Sequence, residues 1–307
     1  MDKEQKAIER LKMASETSLT HYEQPLMITY SGGKDSDTVL RLALRAGIPM
    51  EVVHSHTTAD APETVRYVRR RLYELETQGI KVSVNYPTYK GRRESIWSLI
   101  PVLGAPTRKI RWCCRICKEQ SGVHRAIATG VRWAESVNRQ SRGPIEAIGK
   151  TKKDGIVLHN QSDIEQSALS DVVILNNDND DRRRWMEHCQ MRGEIAFNPI
   201  IDWEDNDVWT YLAGEEVNPL YSMGFDRVGC IGCPQAGKQR NRHFRIFPAY
   251  EQMWRRALER RLEYRKAQGK ENIGYWSDIE SYWAWWMEEN PDQTMLDGYD
   301  SSNFGEG

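Results

Sequence analysis

The segment of this 307-residue chain best suited to hold an anion is Ser31-Gly32-Gly33-Lys34-Asp35-Ser36. A phosphate needs several donors aimed inward at short range, and only glycine lets the backbone come that close while adopting positive φ. Gly32 and Gly33 supply that freedom, Lys34 a cation, and Ser31 and Ser36 hydroxyls. A helix expected to follow aims its N-terminal amides and the positive end of its dipole at the same point. Asp35 is placed to hold a lysine or Mg2+. The spacing is not that of a Walker loop, because Ile28 stands where the first glycine belongs and Asp35, rather than Ser or Thr, follows the lysine. A dinucleotide-binding glycine fingerprint is missing as well.

Sulfur is the second chemical feature. Five of the six cysteines fall in two clusters, Cys113, Cys114 and Cys117, then Cys230 and Cys233, and Cys189 stands alone. Vicinal cysteines and a C-x-x-C pair argue for metal or redox chemistry over structural disulfides in a chain that reads as cytoplasmic. Thiolates serve zinc and iron–sulfur clusters alike, and spacing alone does not separate the two. A vicinal pair is awkward around one zinc, whereas a cubane spreads its ligands over several irons. The formal net charge of −1 hides a local asymmetry: Arg108 to Lys118 carries five basic residues and no acid, and Arg227 to Tyr250 carries five more, again with no acid. Both stretches bear cysteines, so both are expected to offer an anion-binding surface, and Arg108, Lys109, Arg111, Arg115 and Lys118 to offset thiolate charge.

The elements that must position these residues alternate in type. Residues 1 to 20 place Ala7, Ile8, Leu11, Ala14 and Leu19 on one face of a leading helix. Pro25 to Tyr30 reads as a strand running into the glycine turn, and Val39, Leu40, Ala43 and Leu44 then recur at helical spacing up to Gly47. Further strands are expected at Met50 to His54, Lys81 to Tyr86, Val131 to Ala134, Asp171 to Leu175 and Glu194 to Ile201, and helices after Ala61-Pro62-Glu63, over Cys114 to Thr129 and over Asp205 to Leu212. Strand–helix alternation implies an α/β fold with a Rossmann-like parallel sheet, here spanning 21–215 as the nucleotide-binding domain. From Ala249 to Glu289 the pattern is helical, so 216–307 reads as a smaller, mainly helical region carrying cysteines, with a mobile tail from Ser301. Hydrophobic residues at 39% and charged residues at 28% exclude collagen-like and wholly disordered classes. The longest aliphatic run, Val172 to Leu175, is far too short for a bilayer, and nothing marks export.

SGGKDS resembles the loop of the PP-loop family, whose members bind adenine nucleotides and usually act at the α-phosphate, releasing pyrophosphate. HTTADAPET, His56 to Thr64, is similar to the second-strand segment of the phosphoadenosine phosphosulfate reductase superfamily, which implies that His54, His56 and Thr58 lie at the adenosine. RWAESVNR resembles the fourth-strand signature of that group and implies that Arg132, Glu135, Ser136 and Arg139 approach the anionic end of the nucleotide. PIIDWEDNDVWTYL, Pro199 to Leu212, resembles its Asp-Trp plus Asp-Val-Trp helix, so the likeness runs roughly from Leu26 to Pro234. WCCRIC and GCIGCP look like the cluster-binding arrangement of assimilatory adenylyl sulfate reductases. That implies a 4Fe-4S cluster, in preference to zinc, on Cys113, Cys114, Cys230 and Cys233, with Cys117 able to replace one of the vicinal pair.

A sulfonucleotide reductase of this family attacks sulfur with a cysteine in a C-terminal Glu-Cys-Gly motif, whereas this sequence ends Ser301-Ser302-Asn303-Phe304-Gly305-Glu306-Gly307 and no cysteine follows Cys233. The resemblance therefore points to the ATP pyrophosphatases of bacterial DNA phosphorothioation systems, the Dnd and Ssp types. It implies ATP and Mg2+ at the loop, Lys34 and Asp35 as catalytic residues, and partners that include a cysteine desulfurase and other DNA-modification proteins. Arg240, Arg242 and Arg245, with Arg108, Lys109 and Arg111, would meet the DNA backbone or another anion, bringing affinity without sequence choice. Two alternatives stand beside this. One is an adenylyl or phosphoadenylyl sulfate reductase served by thioredoxin or glutaredoxin, with Cys189 as a substitute nucleophile. The other is a non-catalytic nucleotide-binding iron–sulfur module.

Overall fold

The computed structural model describes residues 2–119, 122, 124–148, 164–166, 172–175, 194–269 and 276–288. In chain order the elements are α1 (Lys3–Tyr22), β1 (Leu26–Thr29), α2 (Lys34–Ala46), β2 (Met50–Ser55), α3 (Pro62–Thr77), β3 (Lys81–Asn85), β4 (Thr88–Tyr89), β5 (Arg92–Arg93), α4 (Ile96–Leu103), α5 (Trp112–Cys117), β6 (Ala126–Ala128), β7 (Ile145–Ile148), β8 (Ile164–Gln166), β9 (Val172–Leu175), β10 (Glu194–Phe197), α6 (Asp205–Tyr211), α7 (Gln239–Ile246), α8 (Pro248–Ala267) and α9 (Ile279–Met287). Contacts divide them into two units. The first comprises Met1–His54, Glu63–Val84 and Ser121–Val228, and the second Ser55–Pro62, Asn85–Gln120 and Gly229–Gly307.

The first unit is built on a sheet of order β3-β2-β1-β6-β10-β7-β9-β8. Its middle, β2-β1-β6-β10, is parallel, and β7, β9 and β8 continue it antiparallel. The sheet is therefore a mixed α/β sheet with a parallel centre. Leu26 and Ile28 of β1 and Ala126 and Ala128 of β6 are fully buried, as expected of central parallel strands with no solvent face. Val39, Leu40 and Ala43 of α2 pack into the same core, and Gly47 closes that helix in the left-handed conformation, φ 62°, its N–H returning to the Leu44 carbonyl. The leading helix also belongs here. Ala7, Leu11 and Ala14 are buried, and the buried Arg10 donates to the Pro199 carbonyl (2.9 Å) and to Asp202 Oδ1 (2.8 Å). Leu19, expected on the same face, is 43% exposed.

Aromatic packing builds the second unit. α4 and α9 both pack on α8, around Trp254, Trp286, Tyr282, Leu99 and Ile100. The Trp254 and Trp286 rings lie 4.6 Å apart between centroids, and truncating one such buried indole typically costs about 3–5 kcal/mol. The indole N–H groups also anchor loops. Trp254 donates to the Ile231 carbonyl (2.9 Å), Trp286 to Pro106 (2.9 Å), Trp112 to Gly104 (3.2 Å) and Trp97 to Thr58 (3.1 Å). Arg261 satisfies the end of the proline-containing helix α4 by donating to the Pro101 and Val102 carbonyls.

Several local expectations change. The helix expected over Cys114–Thr129 is only α5, ending at Cys117; His124 adopts φ 57°, and the small, apolar Ala126–Ala128 enters the sheet as β6 instead. The strand expected at Val131–Ala134 is replaced by a 3-10 turn over Trp133–Glu135. The contiguous division at residue 215 gives way to an interleaved one, because 85–120 packs with the C-terminal helices. Cys189 and the 301–307 tail lie outside the described residues.

Candidate nucleotide site and cysteine cluster

β1 delivers the chain to the glycine turn and α2 carries it away, so the loop sits at the carboxyl edge of the parallel strands, where ligands of open α/β sheets bind. Gly32 adopts φ 75°, and a methyl group there would meet Val68 Cγ2 at 2.6 Å, so no other residue fits. The turn braces itself locally. Ser36 Oγ donates to the Gly33 carbonyl (2.9 Å) and lies 3.1 Å from Ser31 Oγ. Long-range partners complete it: Asn218 Nδ2 donates to the Gly32 carbonyl (3.0 Å), and the Lys34 N–H donates to Tyr221 Oη (2.7 Å). Just outside the turn, the buried Asp37 accepts from Tyr30 Oη (2.7 Å) and Tyr67 Oη (2.9 Å), which bracket the loop. Burial pushes the Asp37 carboxyl above the usual range.

Charge converges at Lys34, which is 8% exposed. Its Nζ lies 3.4 Å from Asp35 Oδ2 and 3.4 Å from Asp205 Oδ1. Arg132 ties the two carboxylates together, donating from Nε to Asp35 (2.7 Å), from Nη2 to Asp205 (2.6 Å) and from Nη1 to the Trp203 carbonyl (3.1 Å). The Arg132 hydrogen bond holds Asp205 below the usual carboxylate range. At 1% exposure, Arg132 is an internal strut between these carboxylates, where its place in the signature had implied an approach to the anionic end of the nucleotide. Glu135 accepts from the Arg132 N–H (3.1 Å) and pairs with Arg139. Burial and the cations Arg142 and Arg227 lower the Arg139 pKa, marking a surplus of positive charge beside the loop. Ser136 is exposed, and His54 is buried with its Nδ1 2.8 Å from the Tyr30 carbonyl.

His56 and Thr58 fall in the second unit. The His56 ring meets Tyr86 edge-on and lies 3.4 Å from Asp60, and Thr58 Oγ1 accepts from the Ile96 N–H (3.0 Å) at the start of α4. The Thr58 hydroxyl thus caps a helix end with one lone pair and keeps its own O–H to donate.

All five clustered cysteines also belong to the second unit. Cys113 and Cys114 ride on α5 behind the anchored Trp112, while Cys230 bridges Asp60 and its Sγ lies 3.2 Å from Thr57 Oγ1. Gly232, φ 75°, lets the C-x-x-C turn press on the aromatic core: a methyl there would meet Phe244 Cζ and Trp254 Nε1 at 2.5 Å. The Cys113 thiol and then Arg111, whose Nη2 lies 3.4 Å from Cys114 Sγ, hold Cys114 down to about 5. The same thiol–thiol hydrogen bond and burial push Cys113 up. Burial raises Cys117 to about 12 and Cys230 to about 11, and the charge of Cys230 raises Lys118 in turn.

Of the arginines expected at an anion, Arg108, Lys109, Arg111 and Arg245 are exposed and Arg242 is half-buried. Arg240 is a correction: it is 3% exposed, its guanidinium lies 3.8 Å over the Trp286 ring, and Nη1 donates to the Trp286 carbonyl (2.8 Å). Delocalised, weakly hydrated guanidinium suits such a stacked interior place.

A model of the phosphoadenosine phosphosulfate reductase domain matches residues 25–236, taking in the loop, the 132–139 segment and all five clustered cysteines. The chain belongs to this family. Among its relatives is an uncharacterized protein of Methanocaldococcus jannaschii, 28% identical over 272 residues, covering 86% of this chain and 46% of that one. The adenosine 5'-phosphosulfate reductase of Neisseria meningitidis serogroup B is 43% identical over 130 residues, 42% of this chain and 38% of the relative. The chain spans about half the length of the first curated relatives it matches. The crystal structure of phosphoadenylyl-sulfate reductase from Candida auris, a phosphate complex, aligns with a TM-score of 0.41 at 17% identity over 73% of this chain and 87% of that one.

For a member of the phosphoadenosine phosphosulfate reductase family, the sequence hid several site residues. Tyr221 and Asn218 lie in a turn with no motif of their own. Asp205 reads as a helix-start acid. Gly130 reads as a loop glycine, yet a methyl there would meet the Asp35 carbonyl carbon at 2.9 Å.

Proposed function

We propose that the chain is an ATP pyrophosphatase that cleaves ATP at the α-phosphate and so activates a substrate for sulfur incorporation. The observation that carries this reading is the convergence of Asp35 and Asp205 on Lys34 at the loop. Two carboxylates beside a phosphate-binding turn suit a nucleotide whose phosphates are bridged by a divalent cation, and a sulfonucleotide has no triphosphate to bridge. Asp35 and Asp205 would hold Mg2+, which when bound neutralises charge on the β- and γ-phosphates. The loop amides and the first turn of α2 bind the phosphate oxygens. Lys34 stabilises charge developing on the leaving pyrophosphate, and Arg132 keeps Asp35 in place.

The five thiols fit an iron–sulfur cluster by donor chemistry: Cys113, Cys114, Cys230 and Cys233 are the proposed ligands, Cys117 a substitute, with Arg111 and Lys118 offsetting their charge. A vicinal pair is awkward around one tetrahedral zinc, whereas a cubane spreads its ligands over several irons, which supports the cluster over zinc. When bound, the cluster would supply electron transfer or a fixed cross-link among the three segments that carry its ligands. Sulfur delivered as persulfide by a cysteine desulfurase, DNA as acceptor and a cytoplasmic setting complete the proposal; among the described residues no helix is long and apolar enough to cross a membrane.

A second reading, reduction of adenylyl sulfate with release of sulfite, is favoured by the 43% identity to the Neisseria reductase over 130 residues. One assay separates them. Pyrophosphate released from ATP and Mg2+, with no sulfite from adenylyl sulfate or its 3'-phosphorylated form in the presence of thioredoxin, is the expected result. Sulfite without pyrophosphate would replace the first reading by the second.

A further inference from the structure

The segment 85–118 holds eight Lys and Arg residues against a single acid, Glu94, yet the cysteines account for only part of that charge. The remainder concentrates on a small ribbon. β4 and β5 pair antiparallel, Thr88 with Arg93 and Tyr89 with Arg92, across the two-residue turn Lys90-Gly91. Both turn residues have positive φ, 50° and 75°, as a tight hairpin turn matched to strand twist requires. A lysine in the left-handed region is unfavourable backbone, and a charged residue kept there by local structure is a pointer to use.

The ribbon is fixed at its base and open at its tip. Tyr89 packs on the aromatic core of the second unit, and β4 lies beside α5. Around Gly91 a methyl group would meet nothing within 4 Å, and Lys90, Arg92 and Arg93 are all exposed. None of the three makes an ion pair among the described residues. Two rest on aromatic faces, Arg93 3.4 Å above the Tyr86 ring and Lys90 5.4 Å from the Tyr89 ring centroid, which orders the cations without neutralising them. On neighbouring α5, Arg115 and the preceding Arg111 are exposed as well.

We infer that this hairpin, with the adjoining edge of α5, is a contact for the phosphodiester backbone of a nucleic acid. The inference deepens the proposed function by naming the surface that would meet the acceptor, and it rests on that reading only for the choice of DNA over RNA. Three unneutralised cations on a narrow ribbon, two of them ordered on aromatic faces, suit a regular array of phosphates. Contacts made to phosphate oxygens carry no base information, so binding through this surface should be strong in charge and weak in sequence choice. The surface replaces the buried Arg240 as the leading contact.

The test uses the full chain and fluorescence anisotropy with a random-sequence DNA duplex, a transfer RNA and polyglutamate. Lys90→Ala/Arg92→Ala/Arg93→Ala should weaken nucleic-acid binding roughly tenfold and flatten the plot of log affinity against log salt by up to about 2.7, the loss of three phosphate contacts. A charge-matched control on α3, Arg66→Ala/Arg69→Ala/Arg70→Ala, should change affinity by less than about twofold. Tighter binding of the duplex or of the RNA identifies the source of the phosphates. Equal weakening by both triple variants, unchanged binding by the hairpin variant with its melting temperature intact, or binding to polyglutamate alone would each overturn the inference. Pyrophosphate release measured in parallel, without nucleic acid, tests the loop chemistry independently, so failure at the hairpin and failure at the loop are read separately.

Discussion

The glycine turn and the cysteine cluster are held by opposite means. Around Ser31–Ser36 most of the bracing is close in sequence: the Ser36 hydroxyl closes on Gly33, and Tyr30 and Asp37 join across the loop. Few distant groups are needed: Asn218, Tyr221 and Arg132 each make one directed hydrogen bond to the loop. The cysteines come from separate stretches of chain and are placed by ring packing, with indoles gripping carbonyls and Gly232 fitted against Phe244 and Trp254. A turn set by backbone geometry tolerates change around it; a site set by packing fails when the packing fails.

The sharpest break of that contrast is at the loop's chemistry. Lys34→Ala should lower pyrophosphate release by about 100-fold or more, the usual scale for one electrostatic donor at developing charge. Iron content and cluster absorbance of anaerobically purified protein should stay unchanged, and loss of colour in this variant would count against the assignment of the two functions to two units.

Gly232→Ala probes the other side. Its methyl would need to displace Phe244 or Trp254, and its φ of 75° disfavours alanine, so a loss of roughly 2–4 kcal/mol is expected in chemical denaturation. Bound iron should fall with it while nucleotide binding persists; retention of full iron would show that packing does not set the thiols.

Asp37→Asn should cost about 1–3 kcal/mol, because one of the two tyrosine hydroxyls loses its acceptor. The pH dependence has a definite sign. Burial raises the Asp37 pKa above its ordinary 3.8, so the folded protein binds the proton more tightly than the unfolded chain. The stability this contributes is complete below the ordinary value and is lost as pH rises through the folded one. The deficit of the Asn variant relative to the unaltered protein should therefore be greatest near pH ~4 and shrink towards pH ~7, and a deficit that grows with pH would contradict the burial assignment.

Tyr221→Phe is the finest test. Removing the acceptor of the Lys34 N–H should cost about 1 kcal/mol, seen as a roughly fivefold rise in KM for ATP with kcat little changed. An unchanged KM would mean that the turn holds itself without its distant partner.

What was legible in the sequence follows the same divide. β1, the SGGKDS turn and α2 stand where the pattern of apolar run, paired glycines and helical spacing puts them, because each depends on neighbours within a few residues. The α/β class followed from repetition of that pattern. The antiparallel β7, β9 and β8 and the brevity of α5 were not legible, since sheet direction and helix length there depend on which distant strand supplies the pairing. The same reason hid the interleaving of 55–62 and 85–120 with the C-terminal helices.

Sequence alone determined which residue types could grip phosphate and which could bind metal, because glycine's freedom, lysine's charge and the softness of thiolate are properties of single residues. Tertiary structure decided what those groups are free to do. Three arginines show it: Arg245 faces solvent, whereas Arg240, of similar local context, lies on an indole and bonds a carbonyl, and Arg132 bonds two carboxylates. Burial and hydrogen-bond partners are set by chain segments far apart in sequence, so no local pattern encodes them.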